Sequence, residues 1–110
     1  MKINVLGTEY EIIRTTSTEH PELKNADGYC ANYEKFILVE TDLFKDDETG
    51  SDLTKAKAER TKLILRHELV HAFVMESGNQ HTSLDLEPVT HWIASMAPKM
   101  FKAFQQVDAL

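Results

Sequence analysis

Apolar and polar positions change rhythm near the middle of the chain. Through residue 40 they come in short β-branched runs. Lys2–Leu6 and Tyr10–Thr15 lie either side of Gly7-Thr8, the pattern of a hairpin. Tyr29–Tyr33 and Lys35–Glu40 read as a second hairpin with Phe36-Ile37-Leu38-Val39 as its apolar arm. Between the two, His20-Pro21 through Asn25-Ala26-Asp27-Gly28 carries turn chemistry. Asp42–Asp52 is an acidic loop whose Asp46-Asp47-Glu48-Thr49-Gly50 segment lacks the spacing of a calcium loop. Beyond it the period lengthens to that of a helix. From an N-cap at Asp52 or Thr54 the chain reaches Ser77 without Gly or Pro, and Gly78 is a natural stop. Leu63, Ile64, Val70 and Val74 recur along the face that also carries His67 and His71. A second helix is expected from near Ser83 or Asp85, with Pro88 in its first turn. Its stripe is Leu86, Val89, Ile93, Met96/Ala97, Met100/Phe101 and Phe104, and Pro98 within it predicts a kink or break near Ala94. Strands followed by helices make an α+β fold, with a small, mostly antiparallel sheet packed on the first helix.

Composition narrows the classes. A chain of 110 residues suits one domain, residues 1–110, and 42% hydrophobic with 27% charged residues is ordinary for a globular fold. Twelve basic residues against 18 acidic ones leave a net charge of −6, which argues against a direct nucleic-acid partner. No apolar run exceeds four residues, so no membrane span is expected, and the first residues lack a signal peptide's apolar stretch. Cys30 is the single cysteine and reads as a small buried thiol on a strand. These features point to a cytoplasmic, reducing setting.

One segment carries chemistry. His67-Glu68-Leu69-Val70-His71 is an HExxH sequence inside the first helix. Side chains four apart share a helix face with Cβ atoms about 5–6 Å apart. Two imidazoles so placed can converge on one Zn²⁺ at about 2.0–2.1 Å. Glu68 projects roughly 100° round from His67, beside the metal, where it can act as general base on a water and return the proton to a leaving amine. A third ligand is needed, and no HxxGxxH extension supplies it, because Ser77 stands six residues after His71. Glu87, His91 and His81 are the candidates. Glu87 lies roughly 100° from the centre of the second helix's stripe and His91 roughly 140°. Glu87 is thus at the groove edge, and His91 is the alternative ligand or a hydrogen-bonding partner of one. His81 falls in the loop.

The segment Arg66-His67-Glu68-Leu69-Val70-His71-Ala72-Phe73, with Glu87-Pro88-Val89-Thr90-His91-Trp92-Ile93-Ala94 and then Pro98, resembles the minimal gluzincins. More narrowly, it is similar to the ImmA/IrrE-type metallopeptidases and their short phage and prophage relatives. That resemblance covers about 35 residues. It implies a zincin-like fold, Zn²⁺ held by His67, His71 and Glu87, and Glu68 as catalytic base. His91 stands where such relatives carry Asp or Asn, and the interval from His71 to Glu87 is short for the group. The implied activity is peptide-bond hydrolysis, with a repressor-type protein of a phage or mobile element as substrate. Tyr33, His81 and His91 are candidates to stabilise the oxyanion. Phe36–Val39 is a candidate edge strand for an extended peptide substrate. Two other readings compete: a metal-binding regulatory or interaction module of the same fold with little turnover, and a helical interaction domain without metal.

Overall fold

The computed structural model describes residues 1–110. The first hairpin forms because Leu6 and Gly7 adopt φ values of 51° and 94°. A two-residue turn with both central residues left-handed matches the twist of its strands. Asn4 Oδ1 accepts the Gly7 N–H at 2.8 Å and holds that turn. It joins β1 (Lys2–Val5) to β2 (Thr8–Thr15), with Val5 opposite Thr8. After a loop containing a short 3-10 turn at Pro21–Leu23, β3 (Gly28–Ala31) and β4 (Phe36–Glu40) form the second hairpin. The expected Tyr29–Tyr33 strand is therefore shifted and shorter, because the chain leaves the sheet at Ala31 to turn.

The sheet order is β1-β2-β4-β3. Both hairpins are antiparallel and β2 runs parallel to β4, so the sheet is mixed. This corrects the expectation for Phe36–Val39. That run is an interior strand with β2 on one side and β3 on the other, and Ile37, Leu38 and Val39 are buried. A continuous apolar run suits a strand covered on both faces. The edge strands are β1 and β3.

The helix α1 (Thr54–Glu76) crosses the sheet, and Ile64 and Ala72 join Val5, Tyr10, Ile12, Ile37, Val39 and Leu43 in one core. Its fully buried line is Ile64, Glu68 and Ala72 rather than the expected Leu63, Ile64, Val70 and Val74. The reason is that α1 is covered on two sides, by the sheet and by the second helix, so burial spreads beyond a single stripe. At its C-terminal end, Glu76 accepts hydrogen bonds from Thr8 Oγ1, Tyr10 OH and Lys35 Nζ, each at 2.7 Å. These donors hold the Glu76 carboxyl down at about 2, Lys35 first among them, and offset an anion's unfavourable place at a helix C-terminus.

The helix α2 (Glu87–Gln106) starts later than expected, after turns at Thr82–Asp85. Thr90 and Ala94 are its buried residues, while Leu86, Phe101 and Phe104 of the expected stripe are exposed. Small side chains at the crossing bring the two helices together and leave the larger apolar ones beyond it. Pro98 does not end the helix. It has no N–H to offer the Ala94 carbonyl, and that carbonyl instead accepts Arg66 Nε from α1 at 2.7 Å. Neither helix is long and apolar enough to cross a membrane.

Candidate metal centre

Helical spacing brings His67 and His71 side by side on α1, with ring centroids 5.0 Å apart. Glu87, the first residue of α2, reaches back across the crossing. Its carboxylate oxygens lie 3.0 Å from His67 Nε2 and 2.6 Å from His71 Nε2. The possible ligand atoms of these three residues all fall within 4.8 Å of one another. Two imidazole nitrogens and one carboxylate aimed at a common point are a donor set that fits Zn²⁺ and leaves a position open. The imidazoles are only 18% and 20% exposed, whereas Glu87 is 68% exposed and closes the site from its solvent side. Burial pushes the His67 pKa down, against the attraction of Glu87, with His71 and His91 adding to the downward shift. A neutral imidazole is the form that binds metal.

Glu68 lies where α1 meets β3 and lines the same groove as the ligand cluster. It is 7% exposed, and burial, reinforced by the negative charge of Glu87, pushes its carboxyl up to about 7. Opposite it lies Gly28 of β3. A Cβ at Gly28 would sit 2.6 Å from Ile64 Cγ2 and 2.9 Å from Glu68 Oε2. The missing side chain is what lets the edge strand approach the glutamate.

The surrounding groove has a volume of about 560 Å³. Gly28, Cys30 and Asn32 form one wall, and His67, Glu68, His71, Glu87 and His91 form another. The strand register defines the character of the first wall. Glu40 N–H donates to the Asp27 carbonyl at 2.8 Å, so Asp27/Glu40 is a hydrogen-bonded pair and Gly28/Val39 is not. By alternation the N–H and C=O groups of Gly28 and Cys30 point away from β4, toward the free edge. Cys30 itself is half-buried. Its Sγ donates to Asn32 Oδ1 at 3.1 Å, and burial followed by the Glu68 charge pushes the thiol up to about 12.

Compared with protein families, curated proteins and solved structures, the chain matches none. The site therefore rests on its own geometry. Of the third-ligand candidates, Glu87 alone joins the histidine pair. His91 lines the groove, with its ring 6.0 Å from that of His67 and its Nε2 3.4 Å from Ser95 Oγ, but it is outside the ligand cluster. His81 is exposed in the loop with φ of 68°, its N–H donating to Asp85 Oδ2. Tyr33 is exposed in the β3–β4 turn and does not line the groove. Two contributors escaped sequence reading. Gly28 reads as turn punctuation in the sequence, and Arg66 stands there only as the residue before His67. Only the pairing of strands and helices gives them their places.

Proposed function

We propose that this chain is a zinc-dependent metallopeptidase. The observation that carries the reading is the convergence of His67, His71 and Glu87 beside the buried Glu68. When bound, zinc supplies a Lewis acid that polarises a carbonyl and acidifies water. His67 and His71 would hold it from one helix and Glu87 from the other. Glu68, which lines the same groove, would take a proton at its carboxylate from the attacking water and give it to the departing amine. The outward N–H and C=O groups of Gly28 and Cys30 can pair with an extended backbone by strand addition, which favours a peptide over a small ester. His91, at the groove wall, is the remaining candidate for an oxyanion donor. The resemblance to ImmA/IrrE-type metallopeptidases supports a repressor-type protein as substrate.

Glu68→Gln tests the reading. The variant is expected to keep the fold and one zinc per chain while hydrolysis of an unfolded protein substrate is abolished. Loss of zinc would make Glu68 a ligand, and retained hydrolysis would remove it from the chemistry. The strong exposure of Glu87 favours one second reading, a metal-binding module in which the site is too open for efficient turnover. Zinc binding without any Glu68-dependent hydrolysis would select it.

A further inference from the structure

The apolar positions of α2 do not stop where its contact with α1 stops. Thr90 and Ala94 are buried at the crossing, yet every residue from Pro98 onward is exposed. Ile93, Ala97, Met100, Phe104 and Val107 follow one another at alternating steps of four and three residues. That alternation is the seam of a helix that pairs with another helix. Met100, Phe104 and Val107 are 37%, 39% and 73% exposed, with Phe101 beside them at 53%. Lys99, Lys102, Gln105 and Gln106 fall on the other side of the helix. The chain has no helix of its own to lay along this seam. The uncovered turns of α1, Thr54–Arg60, carry no apolar side chain larger than alanine.

Two observations name a second copy of the chain as the occupant. The chain exposes 7553 Å², where scaling with mass gives about 6,200 Å². That excess is greater than the roughly 800 Å² that one partner gives to a standard interface. The seam is also complementary to itself. Turned antiparallel about Met100, it sets the small Ala97 against Phe104 of the second copy, Ile93 against Val107, and Met100 against its own equivalent. Large side chains opposite small ones let two helices interdigitate. A lipid surface suits the seam less, because a net charge of −6 opposes approach to anionic headgroups. We propose that the far half of α2 is the interface of a two-fold dimer, paired antiparallel about Met100. Such an interface presents the same patch from both copies and closes at two. It depends neither on the metal nor on turnover.

Sedimentation equilibrium of the full chain tests the dimer. The wild-type protein is expected to pass from monomer to dimer between about 1 and 100 µM, as a small apolar interface does. Below that range the far half of α2 is bare, and protection of its amides should rise with protein concentration. Phe104→Glu alters a side chain that is exposed in the monomer and should weaken dimerisation at least about thirtyfold. Cross-linking tests the arrangement without relying on that variant. Met100→Cys should form a disulfide between copies on mild oxidation, with the wild-type protein and its half-buried Cys30 as control. Val107→Cys should not, because antiparallel pairing places the two equivalent positions roughly 20 Å apart. A wild-type protein still monomeric at about 200 µM would overturn the proposal. So would a dimer indifferent to Phe104→Glu, or equal cross-linking at both positions. A monomer that co-sediments with vesicles of anionic phospholipid would assign the face to a lipid surface and overturn it as well.

Discussion

A methyl group added at Gly28 would overlap both Ile64 Cγ2 and Glu68 Oε2. Gly28→Ala is accordingly expected to destabilise the fold by about 1–3 kcal/mol, as overpacking of a close contact does. It should also weaken any Glu68-dependent activity, and urea denaturation with an activity assay reads both. A wild-type unfolding midpoint in Gly28→Ala would mean that β3 does not approach α1 this closely. Glu76 supplies a pH prediction. Its carboxyl sits at about 2 in the fold, against an ordinary value of 4.5. A depressed carboxyl stabilises the fold above its ordinary value and loses that contribution as pH falls from 4.5 toward about 2. Wild type should therefore be more stable than Glu76→Gln near neutrality, and the gap should narrow through that acid window. A constant gap would show that the charge of Glu76 is immaterial. Cys30, pushed up to about 12, should resist alkylation by iodoacetamide at neutral pH in the folded state. The histidine pair was legible in the sequence because a four-residue spacing is a local property of a helix. The close approach at Gly28 was not legible, since it depends on which helix lies opposite β3.

At the level of elements, α2 is held to α1 by an unusual bond. Pro98 frees the Ala94 carbonyl, and Arg66, the residue before His67, occupies it. Arg66→Met should cost about 1–3 kcal/mol by leaving a part-buried carbonyl unpaired. Pro98→Ala in that background should recover stability, because an N–H at residue 98 can then bond Ala94. Chemical denaturation of the four proteins in this cycle checks the coupling, and simple additivity would contradict it. The same bond satisfies the carbonyl that Pro98 leaves free, and of the kink or break expected near Ala94 a break does not occur. Both helices and both hairpins were readable from period and turn residues. The interior position of β4 was not, because the parallel pairing of β2 with β4 joins strands separated by a whole hairpin arm. Spacing favoured Glu87 over His91 as third ligand but left His91 open. The deciding factor is that α2 begins at Glu87, which aims that first carboxylate across the crossing and leaves His91 a turn further on.

Across the whole molecule, the radius of gyration is 15.3 Å, against about 13 Å for a compact chain of this length. The accessible surface is 7553 Å², where scaling with mass gives about 6,200 Å². The excess is consistent with the far half of α2, where Met100, Phe101 and Phe104 are exposed and every residue after Ala97 lies on the surface. Amides from Met100 to Gln106 should exchange with deuterium faster than those near Ala94, which is packed on α1. Uniform protection along α2 would indicate a partner over its far half. At the other end of that helix, His67, His71 and Glu87 are proposed to hold one metal ion between α1 and α2. Native mass spectrometry of protein purified without added metal tests it most directly. The account predicts one zinc per chain in the wild-type protein and its loss in His67→Ala, His71→Ala and Glu87→Ala. A metal-free wild-type protein that takes up no zinc on addition, or zinc retained at full occupancy after any of these three substitutions, would contradict it.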